Sequence, residues 1–190
     1  MKKVFLSLLL LVLSGTFSFA QLTGNFYIPT GSGAPSYATI AAAIAELNSQ
    51  GTATGGVTFN IAAGYTETFS GATDGLITTQ SGLAASPIMF KKYGEGINPL
   101  ITSASGSGTR DFIIGIAGTD YLTFDGIDVR DDPANGDNSS RADFGYLLMK
   151  AAADSSGTQF TTIKNCTITL QNENTNSVGL GLRNWRYDPD

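Results

Sequence analysis

YLTFDGIDV (Tyr121–Val129) and FTTIKNCTITL (Phe160–Leu170) are two renderings of one pattern. Each is a short alternating strand, a two-residue corner and a second short strand. Phe124 falls in step with Ile163, Ile127 with Cys166, and Val129 with Ile168. The corners also match, because Gly126 and Asn165 hold equivalent places. Glycine enters positive φ freely and asparagine is among the next most tolerant residues. A sharp bend between two strands requires such a backbone.

Outward from these pairs, each is preceded by a third apolar strand. These are FIIGI (Phe112–Ile116) and YLLMK (Tyr146–Lys150), and a further unit opens at VGLGL (Val178–Leu182). The units recur with a period of roughly 30 residues, inside the range that marks solenoids. Stacked coils bring matched apolar side chains into inward-facing columns. Each fully buried member contributes about 1.5–3 kcal/mol.

Upstream the same strand signal recurs. Val57, Phe59 and Ile61 alternate with Thr58 and Asn60. Gly64 turns the chain before Tyr65–Phe69, and strands follow at Pro87–Phe90 and Leu100–Thr102. Phe26–Ile28 could pair as a first strand. The one convincing helix is Tyr37–Asn48, where Ile40, Ile44 and Leu47 share a face among alanines. Ser36 is placed to cap its start, and Gly51 lies just past its end.

These residues together resemble a right-handed parallel β-helix of the pectin-lyase-like superfamily. YATIAAAIAELNSQG (Tyr37–Gly51) is similar to the helix that caps the N-terminal end of such solenoids, and VTFNIAAGYTET (Val57–Thr68) to their first coil. TDYLTFDGIDV and TQFTTIKNCTITL resemble the recurring coil. One departure is that Gly64 and Tyr65 are adjacent, without the usual spacer. The resemblance implies an all-β domain over residues 21–190, with a cap helix at about 37–48 and coils from about 57 onward. Many such relatives are long secreted bacterial surface proteins. The final strand near Val178–Leu182 leaves the last coil uncapped, so the chain is expected to be the N-terminal part of a longer protein.

The first twenty residues carry a destination. Lys2 and Lys3 precede an apolar run, Val4–Leu13, and Ser18-Phe19-Ala20 supplies small residues before a cut at Gln21. That is a secretory signal peptide over residues 1–20. The run is shorter than the roughly 20 residues that span a bilayer, so no membrane span is expected after cleavage.

Composition excludes several chemistries. The formal charge is −5, which cleavage of the two lysines makes more negative, and this disfavours nucleic acid as a partner. There is no histidine, so a Ser-His-Asp triad, a histidine zinc site and an imidazole base are absent. Cys166 is the only cysteine and permits no internal disulfide. By its place in the repeat it reads as a small buried apolar residue.

The candidate sites are three. Asp128, Asp131, Asp132 and Asp137 crowd one loop, where carboxylates with Asn135 and Asn138 could surround Ca²⁺, although the spacing fits no EF-hand and a solvated turn has the same composition. For a lyase, the resemblance implies such carboxylates beside a basic residue, for which Arg130, Arg141 and Lys150 stand nearby. Asp125 and Asp128 should face outward, but the repeat matches them with Lys164 and Thr167, so no second acid stacks on either. Among aromatics, Tyr121 is expected in core or half-core packing, and Trp185 with Tyr187 forms the expected exposed cluster. Asn138 and Asn165 each open a glycosylation tripeptide.

The leading expectation is a secreted or cell-surface, non-catalytic β-helix module that binds extracellular polysaccharide or another surface component, with no cofactor unless Ca²⁺. The alternative is a polysaccharide lyase or hydrolase whose active residues lie partly beyond Asp190. A structural stalk is a third reading.

Overall fold

The computed structural model describes residues 20–79, 82–103, 111–136, 141–151 and 156–187. The signal segment up to Phe19, Asp137 and the Asn138 tripeptide lie outside the described residues.

The chain winds as a parallel β-solenoid of about four turns. Its strands are β1 (Leu22–Ile28), β2 (Thr52–Ala62), β3 (Thr66–Phe69), β4 (Leu76–Ile77), β5 (Ile88–Tyr93), β6 (Leu100–Ser103) and β7 (Phe112–Ala117). They continue as β8 (Leu122–Asp125), β9 (Asp128–Arg130), β10 (Phe144–Lys150), β11 (Thr162–Lys164), β12 (Ile168–Thr169) and β13 (Val178–Arg186). One helix, α1 (Ile40–Gln50), stands between β1 and β2.

Three parallel sheets form the sides. Sheet A runs β1-β2-β5-β8-β11, sheet B β3-β6-β9-β12, and sheet C β4-β7-β10-β13. Each coil therefore contributes one strand to each sheet in the order A, B, C. Phe124 pairs with Ile163, and Val129 with Ile168, as the repeat requires. Gly126 and Asn165 make the A-to-B corners at φ 71° and 56°.

Period-two alternation sends every second side chain inward. On sheet A this builds a phenylalanine stack: Phe59 lies 4.6 Å from Phe90 and Phe90 5.1 Å from Phe124, centroid to centroid. Phe26 extends the stack at one end, and Tyr146 from sheet C meets Phe124 edge-on. Tyr146 is wholly buried, donates its hydroxyl proton to the Ile127 carbonyl at 2.9 Å, and has its pKa raised above the usual value by burial.

The helix begins at Ile40, later than the sequence alone suggests. Residues 35–37 are held instead as an extended bridge, with Tyr27 N donating to Pro35 O and Tyr37 N to Tyr27 O. Thr39 becomes the cap, accepting from Ala42 N at 3.0 Å. Ile40, Ala43, Ile44 and Leu47 then point into the solenoid.

The helix closes that end through side chains as well as packing. Glu67 on β3 pairs in register with Ile101, an inward position, and its carboxylate accepts from Ile40 N at 2.6 Å and Ala41 N at 3.0 Å. An anion there satisfies amides that a helix start leaves without partners. Tyr65 donates to the same carboxylate, and burial together with that bond raises the Tyr65 pKa. Asn48 bonds Leu76 O and Thr78 N on the free edge of β4. No helix among the described residues is long and apolar enough to cross a membrane.

Candidate functional site

The outer face of sheet A carries side chains in regular columns. One outward column runs Thr58, Met89, Thr123, Thr162, and the next Asn60, Lys91, Asp125, Lys164, each in strand register. The second column alternates charge over its last three members. Lys164 Nζ lies 3.2 Å from Asp125, and Asn165 Nδ2 donates to Asp125 at 2.7 Å. The Asn165 bond is the leading cause holding the Asp125 carboxyl below its ordinary pKa, with Lys164 and Lys91 adding to it against partial burial.

At the corner where sheet C hands the chain to sheet A, an exposed ring stacks on a half-buried one. Tyr121 and Phe160 lie 4.4 Å apart, tilted by 19°. Phe160 is 64% exposed. Both residues hold positive φ, 49° and 53°. That backbone costs a bulky residue about 1–2 kcal/mol, so two successive coils bear the same strain to turn an aromatic outward. Such strain collects at ligand sites. The corner is pinned by Ile88 N donating to Tyr121 O, Tyr121 N to Gln159 O, and Gln159 N to Asp120 Oδ1 at 2.6 Å. Exposed Pro87 lies on the neighbouring coil just before Ile88. At the far end of the same face, Tyr27 and the exposed Tyr93 meet edge-on at 5.3 Å.

The acidic loop is built differently from a gathered ligand set. Asp128 Oδ1 accepts from Asn98 Nδ2 and Thr167 N, both at 2.8 Å, tying three coils together. Asp131 is buried, and its Oδ1 accepts from Ser103 Oγ at 2.8 Å and Asp132 N at 3.0 Å. Asp132 turns on itself, accepting from Ala134 N. Among the described residues no three acids or cysteines are grouped to hold a metal ion.

The basic candidates separate in space. Arg141 is buried, pairs with Glu173 at 2.9 Å and donates from Nε to Asn135 O, bracing the loop. Arg130 lies half-buried in the sheet B ladder between Thr102 and Thr169. Lys150 ends β10 and borders a pocket of about 280 Å³ with Leu182 and Arg183. Asp125 has Lys91 and Lys164 as its strand neighbours, so no acid stacks on it.

One aromatic expectation needs correction. Trp185 and Tyr187 are half-buried, packed on an apolar cluster outside sheet C with Phe144 and Leu147. Arg183 sits 5.4 Å from the Phe144 ring centre and 5.3 Å from that of Trp185. Tyr121 is half-buried, as expected, and the exposed ring is that of Phe160 stacked on it; its signal was the matched position of the two rings in the repeat. Cys166 is only half-buried, at a corner between β11 and β12, which are outermost in their sheets among the described residues.

No family model, curated protein or solved structure matches the chain. What the face does has to follow from its own chemistry.

Proposed function

We propose that this protein is a secreted or cell-surface, non-catalytic module that binds glycan chains along the outer face of sheet A. The observation that carries the reading is the surface stack of exposed Phe160 on half-buried Tyr121, held by strained backbone. A sugar ring presents an apolar C–H face that packs on an aromatic ring, while its hydroxyls need hydrogen-bond partners. The adjoining columns supply those partners in Thr123, Thr162, Lys91 and Asp125. The parallel coils, positive-φ corners and N-terminal helix support kinship with the pectin-lyase-like superfamily.

The test is binding of the purified protein to an array of neutral and acidic polysaccharides, with product release assayed on the same samples. Phe160→Ala should weaken binding about tenfold, the equivalent of one lost stacking contact. Its ring is mostly exposed, so the fold should be unaffected. Binding that ignores this substitution, or turnover of the bound polysaccharide, would sink the proposal.

A further inference from the structure

Sheet A carries a second aromatic site at the opposite end of its strands from Tyr121 and Phe160. Tyr27 pairs in register with Asn60 of the outward column, and Tyr93 follows Met89 and Lys91 on the same side of β5. Tyr27 is held from behind. A Cβ on Gly33 would collide with its ring, so the backbone of the loop after β1 lies directly against it. Tyr93 meets Tyr27 edge-on and is 47% exposed. Ile88 pairs with Leu122, which places Tyr121 beside Pro87, six residues before Tyr93. At about 3.3 Å per residue, the two aromatic sites lie roughly 20 Å apart along the strands.

We propose that the ligand of this face is an uncharged, extended glycan chain lying along the strands, with one sugar at Tyr121 and Phe160 and another at Tyr93. This rests on the glycan reading above and adds the direction, length and charge of the chain. Direction follows from how the rings are arranged. Tyr121 and Phe160 stack at 4.4 Å and cover each other's facing surfaces, so a chain running from coil to coil would find one stacking place there rather than two. Along the strands, a chain meets an aromatic site at each end. Between them Thr123, Lys91 and Asp125 stand half-buried and offer hydroxyl, ammonium and carboxylate partners to sugar hydroxyls.

Length follows from the spacing. A span of roughly 20 Å holds about four sugar units of an extended chain. A β-1,4-linked chain keeps its rings in line over that distance, whereas a helical α-linked chain turns away from a flat sheet. Charge follows from the neighbours. Asp125 stands in register between Lys91 and Lys164 and pairs with Lys164 at 3.2 Å. Asp120 precedes Tyr121, and Glu95 lies in the exposed loop after Tyr93. Acids on the same face thus match the lysines, and the whole chain carries −5, so a polyanion gains no attraction here.

Calorimetric titration of the purified protein with cello- and manno-oligosaccharides, from the disaccharide upward, reads all three properties. Affinity for at least one series should rise steeply up to about four or five units and then level off. Tyr93→Ala should weaken a chain of about five units roughly tenfold, but a disaccharide by about twofold at most. Tyr93→Phe keeps the ring and should bind as the native protein does, with melting curves of both variants checking the fold. Polygalacturonate should bind at least about tenfold more weakly than the neutral chains. Affinity that ignores chain length, a Tyr93→Ala variant that binds the longer chain normally, or a preference for polygalacturonate overturns this inference and leaves the glycan reading standing. Capture of other polysaccharides with neither series bound does the same. Absence of binding to every polysaccharide overturns the glycan reading itself.

Discussion

Ile101 and Ile168 occupy one inward column of sheet B, separated by Val129, and differ chiefly in what lies above them. Ile101 has no exposed surface, whereas Ile168 is half-buried. Truncating a fully buried isoleucine to alanine costs about 2–5 kcal/mol, the spread reflecting how far the site collapses. Ile101 lies among strands on both sides, where collapse is restricted, so Ile101→Ala should cost about 3–4 kcal/mol. Ile168→Ala should cost about 1–2 kcal/mol, since half its side chain stays in water. For a chain of this size, 1 kcal/mol moves the melting temperature by about 2–4 °C. The first variant should therefore melt roughly 6–16 °C lower and the second roughly 2–8 °C lower. Urea unfolding followed by circular dichroism gives the free energies, with the slope checking that the unfolded state is unchanged. Equal losses at the two positions would refute a stability that follows burial coil by coil.

Glu67→Ala removes the carboxylate that holds the start of α1 and should cost about 2 kcal/mol, as for a lost charge-assisted cap. Hydrogen exchange at Ile40 and Ala41 should accelerate more than at Phe90; uniform or absent acceleration would count against the cap. Asp125 has its folded pKa lowered, first by Asn165 and then by Lys164. Its contribution is therefore fully present above the unfolded value of about 4 and lost as pH falls through the lower folded value. Asn165→Ala should flatten that acid-side loss of stability in a pH series of melting curves. An unchanged slope below about pH 4 would show that Asp125 is not responsible.

The repeat was legible because the solenoid imposes it three times over on residue type. Matched columns such as Phe124 with Ile163, and corners such as Gly126 with Asn165, reflect steric requirements repeated at each coil, so the sequence carries them openly. The short strand β4, Leu76–Ile77, gave no periodic signal, because two residues make no pattern. Position also decided what alternation alone leaves undetermined. Glu67 lies in the inward column that Ile101, Val129 and Ile168 continue, and only the helix above it makes a carboxylate acceptable there. The Tyr121–Phe160 pair was visible as two rings in equivalent places, but its outward direction depends on a positive-φ corner at the residue itself. Trp185 and Tyr187 misled for the opposite reason. They follow a polar stretch, yet the outer surface of sheet C is itself apolar and takes them in.

The candidate ligand face reaches into the last described coil. Tyr121 belongs to the third coil, whose interior is closed on both sides, while Phe160 leads into β11 of the fourth, whose interior is half open. Stability in a solenoid is close to a sum of coil and nearest-neighbour terms, so the last coil is the first to fray. Fraying there separates Phe160 from Tyr121 and dismantles the aromatic pair. Whatever covers Leu180 and Leu182 therefore raises the population in which both rings are stacked. By linkage, a ligand that clamps the two rings would stabilise the fourth coil by the same factor by which an ordered coil strengthens its binding.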